Sequence, residues 1–328
     1  MPGVESMLKA VLNHIRRLSP AIWMGAAVGA TVFAFLKPGD DWILVYRPAV
    51  LAGFNDFPNV ANPTYVLLIL GPLAMLPAGF GAAFIVGSTF LSAWLAEKLT
   101  GASRWLIMLS YPAVWMVMYA QIDAWVMLGV ALGYWAIRNN KPYAQGAAVV
   151  LLFIKPQVTL PLIIYYAWKQ RSWKPFAVIL AFLAASMLIL GPWPVAWADK
   201  IIRVSLLSAG GTGVFSHAGN SIGLFPYGIV FLLSAALLPG YDLRRRSAAL
   251  LAGTLLASPY AGYYSLLTAM ALPMPLILYP LISLPLIALI GWWEITSIIV
   301  LIYYPFGLWM YRKRKRAAGP AVDLPRTD

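Results

Sequence analysis

Between Lys37 and Pro63 the chain reads KPGDDWILVYRPAVLAGFNDFPNVANP and carries three of its eleven acidic residues, Asp40, Asp41 and Asp56. The segment follows the first long apolar stretch, in surroundings that are almost entirely hydrocarbon. A carboxylate at the centre of a spanning helix costs roughly 2.5–3.5 kcal/mol, so acids beside a membrane face belong where water or a substrate meets them. An exposed aspartate, with a reference pKa of ~3.9, is ionised at neutral pH. Asp40 and Asp41 read as the floor of an active site open to the side opposite the cytoplasm, and Asp56, between Asn55 and Phe57-Pro58, has the surroundings of a turn residue. A second polar group is Gln121-Ile122-Asp123. Its Asp suits the start of an interfacial helix, as an N-cap, or a hydrogen bond to a bound ligand. The third is Ile154-Lys155-Pro156-Gln157, in the middle of an otherwise apolar stretch. A charge at such a depth is a functional residue by default, or else the structural partner of an acid.

The elements that position these groups follow from composition. Of 328 residues, 61% are hydrophobic and 11% charged, against ~25% charged in an ordinary soluble domain. This is an all-α, polytopic membrane protein, for which nine to eleven membrane segments are expected. Fourteen Trp and seventeen Tyr suit belts at the two interfaces. Cysteine is absent, which excludes disulfides and thiolate chemistry, and His14 and His217 cannot build a multi-histidine metal centre. The charged N-terminus and a first apolar run long enough to stay in the membrane argue against a cleaved signal peptide.

The net charge of +13 is explained by its placement rather than by nucleic acid. Residues 1–20, 97–104, 138–141, 169–174, 241–246 and the tail from Tyr311 hold 19 of the 24 Lys and Arg but 5 of the 11 acids. By the positive-inside rule these segments are cytoplasmic. The other side keeps Lys37, Arg47, Lys155, Lys200, Arg203 and six acids. A single domain over residues 1–328 is expected. Its parts are a cytoplasmic amphipathic segment 1–19, a first outer loop 37–63, a second large outer loop 192–221 and a basic tail 311–328. Trp42–Phe54 is too short to span and reads as a helix on the outer interface. Two full crossings between Pro63 and Ala96 would put Lys98 and Arg104 outside. The charge rule holds only if Pro63–Leu76 is re-entrant, or if 42–76 makes a pair of crossings. Pro156 breaks the helix within 143–168. With basic flanks on both sides, this stretch reads as a hairpin of two short helices, with Lys155 at its deep tip.

The ordered set of these features carries a resemblance. It comprises the acidic first loop, an Asn-Pro before an apolar run ending PLAMLP, then AQIDAWVMLGVALG, FIKPQVTLPLIIYYAWKQRSWK, HAGNSIG and SPYAGYYSLL. Over roughly residues 20–280 the chain resembles the GT-C superfamily of polytopic glycosyltransferases. Within it the chain is most similar to glycosyltransferase family 87, typified by polyprenyl-phosphate-mannose-dependent mannosyltransferases. It departs from that pattern at Ala120, where the family usually has Gly, at the single Pro63 in place of a tandem, and in being short. The resemblance implies inverting transfer of a sugar, mannose first, from a polyprenyl-phosphate donor to a glycolipid or glycan acceptor on the extracytoplasmic face of the plasma membrane. It places the general base on Asp41, or on Asp40 if the loop is shifted by one. Lys155, His217 and Arg203 are the expected ligands of the donor phosphate, and Gln121, Asp123, Asn220 and Tyr260 those of the acceptor sugar. No metal is expected, although Asp40, Asp41 and Asp123 together could hold a hard divalent cation. Two other classes fit parts of the pattern. A lipid or sugar transporter would use the broken helix at Lys155-Pro156 but should show inverted repeats, and none is seen. A non-catalytic membrane assembly protein would need no acidic outer cluster.

Overall fold

A computed structural model of the chain describes residues 2–52, 62–208, 227–237, 242–258 and 263–273. Helix is the regular structure throughout these residues, and no strand occurs among them. A helix pairs its own backbone, which hydrocarbon cannot do for it. Among the described residues two helices are long and apolar enough to cross a membrane, Ser19–Leu36 and Ala78–Thr100, and a third span forms if the bent pair Lys174–Leu190 and Trp193–Lys200 counts as one. The other described helices are shorter.

Helix α1 (Pro2–Leu36) takes in both the basic start and the first span; Pro20 lies inside it without ending it. Helix α4 (Ala78–Thr100) returns antiparallel to α1. Near one end Trp23 meets Phe90 edge-on at 5.2 Å, and near the other Phe35 meets Phe80 at 5.0 Å. Gly101, at φ 82°, closes α4, and Ser103 caps the next helix, α5 (Arg104–Met108). The Arg104 guanidinium donates to Ser19 Oγ at 2.8 Å and pairs with Glu97 at 3.5 Å, which ties the start of the α1 span to the end of α4.

Between α1 and α4 the described residues form short helical pieces. A π-helical turn, Trp42–Tyr46, leads into α2 (Arg47–Leu51), and a 3-10 turn, Thr64–Val66, into α3 (Leu67–Ala74). The stretch from Thr64 to Ala74 is about 16 Å long at helical rise, half of a ~30 Å hydrocarbon core. Both of its neighbours lie at the end of α4 where Ala78 sits. Trp42, fully buried, donates its Nε1–H to Ala78 O at 2.9 Å and lays its ring where a Cβ on Gly81 would stand. Among the described residues between 37 and 98 one helix, Ala78–Thr100, is long and apolar enough to cross a membrane, and Lys98 and Arg104 fall at the same end as the start of the α1 span.

Helix α6 (Tyr111–Tyr119), capped by Ser110, rises to a left-handed Ala120 at φ 53°, and α7 (Asp123–Arg138) descends. Helix α8 (Pro142–Leu152) climbs and α9 (Pro156–Gln170) comes back down. Gln170 Nε2 reaches Asn140 Oδ1 at 3.2 Å, so the hairpin starts and finishes at one end of the fold with Lys155 at its tip. Association between helices in hydrocarbon depends on close packing rather than on expelling water. The two helices close on α7 through glycines: Gly129 lies against Ala148, Leu151 and Leu152, and Gly133 against the Tyr166 ring. Helix α10 (Lys174–Leu190) rises again and bends by 87° into α11 (Trp193–Ser208). Helices α12 (Ile229–Leu237) and α13 (Leu243–Ala257) pack antiparallel, with Gly228 against Leu256 and Gly253 against Leu232. A 3-10 stretch, Tyr263–Ala271, runs from Ser265 beside Asp123 to Ala271, whose carbonyl accepts from Thr100 Oγ1 at 2.8 Å.

The charges separate by this arrangement. Lys98, Arg104, Arg138, Lys141, Lys169, Arg171, Lys174 and Arg244–Arg246 lie on turns or helix ends at one end of the bundle. Lys37, Asp40, Asp41, Asp123 and Lys155 lie at the other.

Candidate active site

Four of the residues that the sequence pattern marks meet at that second end, Asp41, Gln121, Asp123 and Lys155, and the corner between α6 and α7 connects them. The left-handed Ala120 turns the chain so that Gln121 and Asp123, two residues apart, serve different partners. Gln121 Nε2 donates to Asp41 Oδ2, and the Tyr46 hydroxyl donates to Gln121 Oε1 at 2.8 Å. Asp123 Oδ2 accepts from Lys155 Nζ at 2.7 Å, and its Oδ1 accepts from Ser265 Oγ at 3.0 Å. Asp123 is wholly buried and Lys155 is 3% exposed, so the pair is an interior ion pair. The Tyr264 ring lies 4.6 Å below the ammonium.

Lys155 reaches this position because the chain is irregular there. Pro156 has no N–H to continue a helix, and Lys155 takes φ −132° and ψ 71°. The exposed carbonyls at the break are satisfied from other elements. Asn62 Nδ2 donates to Ile154 O at 2.9 Å, and Thr159 Oγ1 donates to Leu152 O at 2.6 Å and Lys155 O at 2.9 Å. One turn earlier, the Tyr65 hydroxyl donates to Val150 O at 2.6 Å. The Asn62-Pro63 element of the sequence pattern therefore braces the tip of the hairpin.

Asp41 is half-buried and its neighbour Asp40 is exposed. Burial pushes the Asp41 carboxyl up from its ordinary 3.8; the Gln121 hydrogen bond and the Lys155 charge pull it down, while Asp123 and Asp40 add to the rise. The Lys155 and Asp123 charges thus act on Asp41, which puts the two polar groups in one site. Of the two adjacent acids, Asp41 is the one held by the fold. Its position depends on Gly39, which sits on the α6 C-terminus: an added Cβ would stand 2.4 Å from Tyr119 C and 2.6 Å from Ala120 N. Gly39→Ala is expected to push the loop off α6 and destabilise the fold by about 1–3 kcal/mol, as overpacking does. A lower melting temperature of the purified variant checks this.

The other expected site residues are not among those whose side chains the structure describes. His217, Asn220, Tyr260 and Asp56 lie outside the described residues. Arg203 lies on α11, where only the backbone is described. Gln121 and Asp123, expected to face an acceptor sugar, are engaged by Asp41, Tyr46, Lys155 and Ser265. Among the described residues no group of three or more His, Cys, Asp or Glu side chains is placed to hold a metal ion, and Asp123 is paired to Lys155. Tyr46, Asn62, Tyr264 and Ser265 join the site without having stood out in the sequence. The SPYAGYYSLL and Asn-Pro elements contain three of them, but nothing local distinguishes Tyr264 and Ser265 from Tyr260.

An apolar cavity of about 370 Å³ opens beside the hairpin tip, between α8, α10 and α11, lined among others by Tyr65, Phe153, Phe182, Trp193 and Trp197. Tyr65 meets Phe182 at 5.1 Å and Trp193 at 5.3 Å, and Phe153 meets Trp197 at 5.8 Å.

Fold and site define an integral membrane protein of apolar helices, with a polar site of one carboxylate and one buried ion pair at a single end of the bundle. The chain is a member of glycosyltransferase family 87, whose family model matches residues 61–259. The matched region includes Gln121, Asp123 and Lys155; Asp40 and Asp41 precede it. No curated protein and no solved structure matches the chain. Membership makes the protein a glycosyltransferase with a sugar donor and an acceptor.

Proposed function

We propose that the protein transfers a sugar, mannose in our reading, from a polyprenyl-phosphate donor to a lipid- or glycan-linked acceptor. The transfer inverts the anomeric centre, with Asp41 as general base and no metal. The observation that carries this reading is the placing of a held carboxylate, Asp41, within the field of a buried cation, Lys155, at one end of the bundle. The acceptor hydroxyl oxygen attacks the anomeric carbon from the face opposite the phosphate, and its proton passes to Asp41. The carbon–oxygen bond to phosphate breaks, and its electron pair leaves with the polyprenyl phosphate. That anion needs positive charge in the transition state. An ammonium has three donors, of which one meets Asp123 in the structure. His217 and Arg203 are the other proposed phosphate ligands, with Asn220 and Tyr260 on the sugar. The segregation of basic turns to the opposite end supports an extracytoplasmic site in the plasma membrane. A lipid donor suits a site at a membrane face beside an aromatic-lined apolar cavity.

The purified protein in nanodiscs, given polyprenyl-phosphate mannose and a glycolipid extract, should form an inverted glycoside with EDTA present. Turnover with nucleotide-sugar donors alone would overturn the donor assignment, and loss of activity in EDTA restored by a divalent cation would overturn metal independence. Since burial holds the Asp41 carboxyl up, the acid limb of kcat/KM should lie above the ordinary 3.8.

A further inference from the structure

We infer that Gln121 is a positioning residue for the base, clamped by Tyr46 so that its amide N–H aims the Asp41 carboxylate at the acceptor hydroxyl. The inference rests on Asp41 being the base. Three elements meet here: the turn entering α2, the loop after α1 and the α6–α7 corner. Tyr46 is 3% and Gln121 4% exposed. An ionised carboxylate accepts only, so the amide must present nitrogen to Asp41 and oxygen elsewhere. The Asp41 carboxylate selects this amide orientation over its flip, and the Tyr46 hydroxyl, donating to Oε1 at 2.8 Å, holds the amide's other end. Oδ2 is thereby occupied, and Oδ1 becomes the basic atom. A buried Gln whose two ends are both engaged by protein has little capacity left for a sugar.

The groups whose charge bears on Asp41 are Asp40 in its own loop, Asp123 on α7 and Lys155 at the hairpin tip, with Tyr119 at the end of α6 beside both acids. None of them replaces the Gln121 donor. Gln121→Met keeps an unbranched side chain of similar length and removes both hydrogen bonds. It is expected to lower kcat about tenfold or more and to move the acid limb of kcat/KM up by about one pH unit, since a hydrogen bond to the charged form of an acid holds its pKa down. Acceptor KM should stay within about twofold. Tyr46→Phe removes the hydrogen bond that holds Oε1, loosens the aim of the amide and should move the limb in the same direction by less; it also carries the test if Gln121→Met does not fold. In an Asp41→Asn background, Gln121→Met should change the residual rate little, because residues acting through one group are not additive.

An unmoved acid limb with a raised acceptor KM would overturn the inference and make Gln121 a sugar ligand. Additive losses in the Asp41→Asn background would overturn it as well. Near-full activity of Asp41→Asn alone would instead remove the base assignment on which it rests, so the two failures are distinguishable.

Discussion

Asp41→Asn is expected to slow sugar transfer by at least about 10²-fold while changing donor affinity by less than about twofold. Asn keeps the shape of Asp and still accepts the Gln121 hydrogen bond, but it cannot take the acceptor proton. Asp40 stands beside it, exposed and without the Gln121 contact, so Asp40→Asn should remain close to wild type. The reverse pattern, a large loss at Asp40 and near-normal rates at Asp41, would move the base by one residue. Stability supplies a second readout. A carboxyl whose pKa is raised in the folded state binds its proton more tightly there, so the native state gains stability as pH falls through the folded pKa. Above that range the ionised Asp41 is a liability, and Asp41→Asn should melt no lower than wild type at neutral pH. A variant that is both inactive and strongly destabilised would point to a structural role instead.

The second large effect is at the buried pair. Lys155→Met leaves the Asp123 carboxylate wholly buried with Ser265 as its one remaining partner in the site. Removing one member of a buried ion pair costs about 3–5 kcal/mol, whereas replacing both members is often neutral. Lys155→Met should therefore melt far below wild type in detergent, and Lys155→Met with Asp123→Asn should recover much of the loss. Donor binding separates the two roles of the lysine. If its ammonium meets the departing phosphate, the stable double variant still binds lipid donor weakly and turns over slowly. Donor affinity returning together with stability would make the pair purely structural and leave the phosphate to other cations.

Several features are legible in the amino-acid sequence by itself. The class follows from 61% hydrophobic and 11% charged residues, because hydrocarbon admits little else but helices to a chain of this composition. The break at Lys155-Pro156 is readable because proline removes a backbone donor wherever it stands. With basic residues on both flanks, the hairpin follows. The grouping of basic turns is readable for a similar reason, since the cost of moving charge across a bilayer acts on each turn separately. Asp41 is reached through its loop and the family resemblance.

Which residues become partners is decided by tertiary structure. Asp123 and Lys155 are 32 residues apart, and Gln121 and Asp41 are 80. In a soluble helix the polar face marks the outside, but here lipid-facing and packed faces are both apolar, so periodicity does not say which side of α7 meets α8 and α9. Glycines 129 and 133 decide that, by letting backbone and ring approach where any Cβ would intrude. Asp123 is thereby made the counter-ion of Lys155, a pairing that its sequence position does not show. The crossing between residues 37 and 98 is likewise undetermined by hydropathy, because Thr64–Ala74 is as apolar as a span and differs only in length and course. Trp42 seated on Gly81 and hydrogen-bonded to Ala78 fixes the start of the connecting segment at that end of α4, next to Asp41, which Gln121 holds.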